Sequence, residues 1–554
     1  MNLVALPVLI PLLTGSLLLL IKRPRARTAV SIVGASLTFL VDLNLFVLTA
    51  QGEVAVLQMA GWAAPWGISL VADGLTGIML GLSGLIGLLT VIFAGSSLKH
   101  APRRGVSDAL NKTRERLGAQ ALFQFLLMGV NMSFLTGDLF NLFVAFEVML
   151  IASYGLMILG NELPQLREGF KYVVINLVAS AIFVAAAGFS YGLFGTLNMA
   201  DIAVKLAAHG PDPRVTLVAG LLALVFTTKS ALFPLGFWLP NSYPVPAAAV
   251  SAFFAALLTK VGAYTLIRSF TLMFPGEVAL QTIVLALAGL TILVGAFGAI
   301  ARQNWRYALA FANVASVGYI VMGAFTGTDA GLAAGLYYLM HSVLIVFTLF
   351  AIAGLAEKIG GEPYQTSGHL NSYPWLGVGF FFLALALAGL PPTSGFVGKY
   401  ALITALLRVD SPLHVLVAVS AVSAGFLLLY AMMQIWRGFF WGETDAVHRV
   451  PLPLGMRAVS AVSVGLVVLL TIFSGPAFRI AENADAQLSD NVAYINAVLG
   501  EAGVEAYSRA SQSKRGARAS TETFPSPLLG ERSDSSLIPT PLLNALPTSA
   551  GETE

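Results

Sequence analysis

The chain has 554 residues, of which 57% are hydrophobic and only 11% charged, with a formal net charge of +3. Soluble domains carry far more charge, and a nucleic-acid binder concentrates lysine and arginine on one surface, so the composition excludes both classes. The absence of cysteine also excludes disulfides, thiolate chemistry and cysteine-bound iron or zinc.

Runs of eighteen or more apolar residues recur from the first residue to about 480, each long enough to cross a hydrocarbon core about 30 Å thick. An all-α integral membrane protein follows. In chain order, fourteen spans are expected at about 2–21, 27–49, 72–98, 119–137, 139–160, 168–195, 214–235, 245–270, 278–301, 306–326, 330–356, 373–408, 412–440 and 456–480. The first, NLVALPVLIPLLTGSLLLL, is too long for a secretory signal core and is followed, not preceded, by the basic KRPRAR, so it reads as a spanning helix. Residues 53–70 are apolar but interrupted by glycine and proline, the pattern of a hairpin or interfacial cover.

Two spans read as broken helices. The seventh runs into LFPLGFWLPNSYPVP, with Pro234 and Pro240; the twelfth is too long for one straight crossing and holds GLPPTSG, with Pro391 and Pro392. Such breaks free backbone groups that neighbouring helices or a watery cavity must satisfy. Residues 1–500 form one membrane domain. From 508 onward the composition turns to Ser, Pro, Thr, Arg and Glu, which buries too little apolar surface to order itself, so 508–554 is expected to be a disordered tail.

Lysine and arginine cluster in the connections after odd-numbered spans, as in KRPRAR and in Lys99, Arg103, Arg104, Lys112, Arg114 and Arg116. The even-numbered connections hold only Lys205, Arg214, Arg268 and Arg408. The positive-inside rule then places the odd connections in the cytoplasm and, for an even span count, both termini on the extracytoplasmic side.

Charges inside the spans are few enough to weigh singly. Glu147 lies near the middle of the fifth span, Lys229 one turn before the proline break of the seventh, Lys260 mid-way along the eighth, His341 in the eleventh, and Lys399 just past the double proline of the twelfth. An ionised side chain at a helix centre costs about 2.5–3.5 kcal/mol on insertion scales, so it survives where it faces a partner, a cavity or a pathway. A lysine taken out of water yields its proton more readily, and an acid beside it has two low-energy proton arrangements. A Glu–Lys–Lys–His–Lys series joined by water therefore suits lateral proton movement. The competing reading is that Glu147 and Lys229 merely lock two helices, and that His341 is held by one neighbour. Asp138, at the start of its span, reads as a helix cap or a channel mouth, and Asp42 and Asp73, near span ends, as solvated. No phosphate loop, HExxH zinc motif or dinucleotide fingerprint is present, and six scattered histidines give no metal-ligand spacing, so neither a metal nor a cofactor is expected.

LVFTTKSALFPLGFWLPNSYPVPAAAVSAFFAALLTKVGAYTLIR, together with LALAGLPPTSGFVGKYAL and QIWRGFFWGE, resembles the family of antiporter-like subunits shared by respiratory complex I and Mrp cation/proton antiporters. The resemblance covers residues 1 to about 500. It implies fourteen helices with two inverted five-helix repeats, at about 119–270 and 278–440, each with a broken helix. It carries Glu147 and Lys229 onto the family's glutamate–lysine pair, Lys260 onto its connecting lysine and Lys399 onto the lysine of the second break. At Val346, where many relatives have a lysine, the pattern departs.

The function so implied is a proton-translocating, non-enzymatic subunit of a monovalent cation (Na+)/proton antiporter in the plasma membrane of a prokaryote, partnered by the other Mrp subunits. The alternatives are a pump subunit of a complex I-like oxidoreductase or membrane-bound hydrogenase, and a non-conducting scaffold.

Overall fold

The computed structural model describes residues 3–97, 118–208, 212–359, 368–370, 372–442 and 451–522. Its first elements are helices α1 (Leu6–Leu20) and α2 (Pro24–Ala50), strands β1 (Ala55–Gln58) and β2 (Ser69–Ala72), and helix α3 (Gly74–Ser97). The strands pair antiparallel, Ala55 opposite Ala72 and Gln58 opposite Ser69, so the segment expected as a hairpin is one. Then come α4 (Ala119–Leu135), α5 (Leu139–Ile158), α6 (Leu163–Phe194), the short α7 (Met199–Ala208), α8 (Pro213–Ser230) and one turn of helix, α9 (Leu239–Ser242). The remainder comprises α10 (Ala248–Met273), α11 (Val278–Ile300), α12 (Trp305–Ala324), α13 (Asp329–Ile359), α14 (Pro374–Ala388), α15 (Ser394–Leu407), α16 (Pro412–Phe440), α17 (Leu454–Ile472), α18 (Ser474–Ser489) and α19 (Val492–Glu522).

Among the described residues eleven helices are long and apolar enough to cross a membrane. The other expected spans fall on the shorter α4, on α8 and on the pair α14 and α15. Both expected breaks are present. Helix α8 stops at Ser230 because Ala231 turns into the left-handed region (φ 60°), five residues before the expected end of the span at 235, and Pro234 lies in the turn that follows. Pro240 does not break a helix; it opens α9, where a missing N–H costs nothing. Helix α14 ends at Gly389 (φ 85°), and Pro391 and Pro392 separate it from α15.

Packing orders these helices from the centre outward. The apolar windows of α10 and α13 are wholly buried, and those of α1, α2 and α17 are mostly open. Helix α13 is the axle of the bundle, touching α10, α12, α15, α17 and α18. Peripheral helices turn Leu13, Leu20, Phe170, Phe189, Val378 and Phe426 outward, the surface a bilayer requires. Between lipid-like surfaces, helices are held by close contact of small residues. Gly262 of α10 is such a contact: a Cβ there would lie 2.5 Å from the backbone N of Ser230, so this glycine lets α8 touch α10 within three residues of both Lys229 and Lys260.

Helix α10 is not α-helical throughout; it passes through π-helical turns at Phe254–Leu258 and Ser269–Met273. The hairpin, α7, α18 and α19 gather at one end of the bundle. There Gln487 accepts from the N–H of Gly74, and Asn491 and Gln58 donate to the carbonyls of Thr271 and Val498, at 2.8, 3.0 and 3.0 Å. Helix α19, kinked at Gly500 (φ 71°), extends into the first part of the expected tail, to Glu522. Residues 508–522 include three Ala and three Arg, both good helix formers, among four Ser. The rest of the expected tail, 523–554, lies outside the described residues.

Asp485 on α18 is buried, with Oδ1 lacking a hydrogen-bond partner. Burial first, then the charges of Asp329 and Glu482, push its carboxyl up to about 7 against a counteracting hydrogen bond from Ser489. The folded chain thus holds this proton more tightly than an unfolded one. Its contribution to stability is complete below the ordinary carboxyl range and is lost as pH rises towards about 7. In detergent, the thermal transition of the assembled protein should fall between about pH 4.5 and 7.5 more steeply for wild type than for Asp485→Asn.

Candidate functional site

The three lysines expected in the spans are enclosed: Lys260 is fully buried, as is His341, and Lys229 and Lys399 are each 5% exposed. None has a carboxylate within 4.0 Å among the described residues. Each is held by neutral acceptors instead. Lys229, in the last turn of α8, donates to Ser180 Oγ at 3.2 Å and to the backbone and side-chain oxygens of Asn176 at 3.4 Å, all on α6. Its ammonium lies 5.7 Å from the ring centroid of Phe146.

The expected Glu147–Lys229 ion pair is therefore not closed. Glu147 occupies a partly exposed face of α5, and its Oε1 has no hydrogen-bond partner. Sequence depth placed the two side chains at similar levels but did not give their azimuths around the helix axes.

Lys260 donates to the carbonyl of Ala255 at 2.9 Å and to Asn313 Oδ1 of α12 at 2.5 Å. Ala255 sits in the π-turn, where the carbonyls are displaced from the regular ladder and open to a side chain. Lys399 reaches back across the second break and donates to the carbonyls of Leu387 and Ala388 at 2.9 and 3.0 Å, the oxygens that a helix C-terminus leaves without partners. It also lies 4.4 Å from the ring centroid of Tyr319. His341 Nδ1 is hydrogen-bonded to Ser394 Oγ at 3.0 Å and its Nε2 has no partner. A Cβ at Gly395 would come 3.0 Å from that nitrogen, so glycine there keeps it clear.

Several groups that sequence reading passed over complete the arrangement. Asn313, Ser316 and Tyr319 recur every three residues on α12, which puts them on one helix face spanning about 9 Å. The face begins at Lys260, through Asn313, and ends against Lys399, through Tyr319. Tyr338 of α13 packs over Tyr319 with ring centroids 5.1 Å apart and lies 5.4 Å from His341. Asn313 Nδ2, Ser342 Oγ and His341 Nε2 are buried without hydrogen-bond partners, and Ser316 Oγ faces Tyr338 OH. One orphaned polar group is a local cost of about 1–3 kcal/mol; a run of them beside buried ammonium groups marks a polar track in an apolar bundle. The spacing in FANVASVGYI was the available signal.

Asp138 is the N-cap of α5, accepting from the Asn141 N–H at 2.8 Å, and burial raises its carboxyl above the ordinary range against hydrogen bonds from the Asn141 and Phe140 N–H groups. Asp42 and Asp73, expected to be solvated, are both buried. Asp73 pairs with Arg268 of α10 at 2.6 Å, a partner 195 residues away that no local reading supplies.

Two broken helices, a lysine beside each break, and a third lysine on the enclosed helix between them define a membrane subunit of the antiporter type. The chain belongs to the NADH:quinone oxidoreductase/Mrp antiporter family, whose transmembrane model matches residues 136–426. It is 39% identical to the D subunit of the Na+/H+ antiporter of Alkalihalophilus pseudofirmus, covering 90% of this chain and all of that one. Among solved structures it resembles a chain of the Mrp complex of a Dietzia species, with a TM-score of 0.81 and 29% identity over 90% of this chain and 99% of that one. A chain of respiratory complex I from Thermus thermophilus gives a TM-score of 0.72 and 28% identity, covering 88% of this chain and all of its own length. The family read from the motifs is thus the family found.

Proposed function

We propose that this chain is the proton-carrying subunit of a multi-subunit Na+/proton antiporter, assembled with other Mrp-type subunits in the plasma membrane of a prokaryote. The observation that carries the reading is the buried face Asn313–Ser316–Tyr319, which accepts from Lys260 at Asn313 and lies against Lys399 at the Tyr319 ring, whose hydroxyl donates to the Ala421 carbonyl. In this mechanism a proton passes from the Glu147 and Lys229 region to Lys260, then along α12 and its neighbours Tyr338 and His341 to Lys399. Val346, buried on α13, has no proton to exchange, and the α12 face replaces the lysine found there in many relatives.

The two repeats, about 119–270 and 278–440, each supply a broken helix and a half-channel. The charge bias of the connections puts the hairpin end, with Asp138, outside, and both termini there too. The 39% identity to an antiporter subunit, against 28% to a complex I chain, favours exchange over redox-driven pumping.

The test is Na+ exchange driven by a pH gradient in everted vesicles holding the full complex, with wild type and Lys229→Ala at matched assembly. Loss of exchange by roughly 10²-fold or more is expected. Unchanged exchange would make Lys229 structural and move the chain to a scaffold role.

A further inference from the structure

Outside the lysine row, a further carboxyl besides Asp485 is buried without a basic partner. Asp42 of α2 is fully enclosed, and among the described residues no Lys, Arg or His lies within 4.0 Å of it. Its Oδ2 accepts from Asn131 Nδ2 of α4 at 3.3 Å, and its Oδ1 has no hydrogen-bond partner. The same Asn131 Nδ2 donates to the carbonyl of Pro7 at 3.1 Å, and Asn131 Oδ1 accepts from Ser83 Oγ of α3.

The Pro7 carbonyl is free for a covalent reason. Its regular helical partner would be the N–H of residue 11, and residue 11 is proline. Gly84 completes the enclosure, since a Cβ there would lie 2.6 Å from Asp42 Oδ2.

Four helices thus meet at one amide: the Asp42 carboxylate and the spare Pro7 carbonyl converge on its Nδ2 edge, and the Ser83 hydroxyl holds its Oδ1 edge. We propose that this cluster is a binding site for a dehydrated monovalent cation of the sodium class. All ligands are hard oxygens, which excludes metals that seek sulfur or imidazole. The single carboxylate is neutralised by a single positive charge, whereas a divalent ion would leave a net charge buried in the bundle. A turn of the Asn131 amide about its last torsion presents Oδ1 to the cation beside Asp42 and Pro7, and Nδ2 then donates to Ser83 Oγ, so the Asn131–Ser83 contact is kept with its direction reversed. Without the ion, the amide N–H group occupies the place where the two acceptors converge.

The site lies wholly outside residues 136–426 and shares no group with the lysine row. The inference therefore goes beyond the proton-carrying reading and stands independently of it.

Equilibrium binding of 22Na+ to the purified complex in detergent, against a choline background, tests it. Asp42→Asn is expected to bind one Na+ fewer per complex than wild type, and Ser83→Ala to bind that ion roughly tenfold more weakly, which corresponds to about 1.4 kcal/mol. Lys229→Ala, which tests the proton path, should leave this binding unchanged, so the two proposals fail separately. Equal stoichiometry in wild type and Asp42→Asn would overturn the site. Should Asp42→Asn not assemble, Ser83→Ala decides the matter: undiminished affinity overturns the proposal and weakened affinity supports it.

Discussion

Lys260→Arg is expected to abolish exchange as completely as Lys260→Ala, by roughly 10²-fold or more, although it preserves the positive charge. The reason is chemical. An ammonium can release and regain a proton, whereas a guanidinium stays charged under all accessible conditions. If Lys260 were a structural cation satisfying Asn313 and the Ala255 carbonyl, arginine would retain part of its role and alanine would be the more damaging change. Exchange in everted vesicles, normalised to assembled complex, separates the two: substantial activity in Lys260→Arg would remove Lys260 from the proton path. Asn313→Leu refines the picture. It withdraws a neutral acceptor from a charged donor, a loss of about 1.5–3 kcal/mol, and should slow exchange between about 10- and 100-fold without abolishing it.

Arg268→Leu should have the largest effect on stability. The Asp73–Arg268 pair is 2.6 Å long, with side chains 3% and 5% exposed, and Arg268 also lies 5.1 Å from the ring centroid of Tyr494 on α19. Removing one partner leaves a buried charge uncompensated, which costs about 3–5 kcal/mol. The double change Asp73→Leu with Arg268→Leu removes the charge as well as the bond and should recover a good part of that loss. Thermal unfolding of the detergent-solubilised complex, followed for both variants, is the measurement. A single variant as stable as wild type would mean that the pair contributes no net stability.

The fold was legible wherever it depended on solvent transfer. Uninterrupted apolar runs announced the spans, and glycine and proline announced the breaks, because both effects are local. The lysines were legible for a related reason: an ammonium in an apolar run needs an explanation wherever the chain folds. Burial of Asp42 and Asp73 was not legible. Distance from a helix end in sequence says nothing about which other helices cover that end, and Asp73 is covered by α10, Asp42 by α3 and α4. The open Glu147–Lys229 pair has the same cause, since depth along two helices leaves their rotation undetermined. Asn313, Ser316 and Tyr319 were visible as a three-residue rhythm, yet uncharged polar residues are common enough in spans that only their alignment between two lysines gives them meaning.

The π-turn at Phe254–Leu258 has a further consequence for how this chain tolerates change in length. An extra residue held within one turn sets the angular phase of everything after it, including Lys260, Gly262 and Arg268. Deleting a single residue there would restore an ordinary helix and at the same time swing those three side chains by about 100°, away from Asn313, from the backbone of α8 and from Asp73 together. The irregular turn works as a phase setting, and the number of residues in this helix is as constrained as their identity.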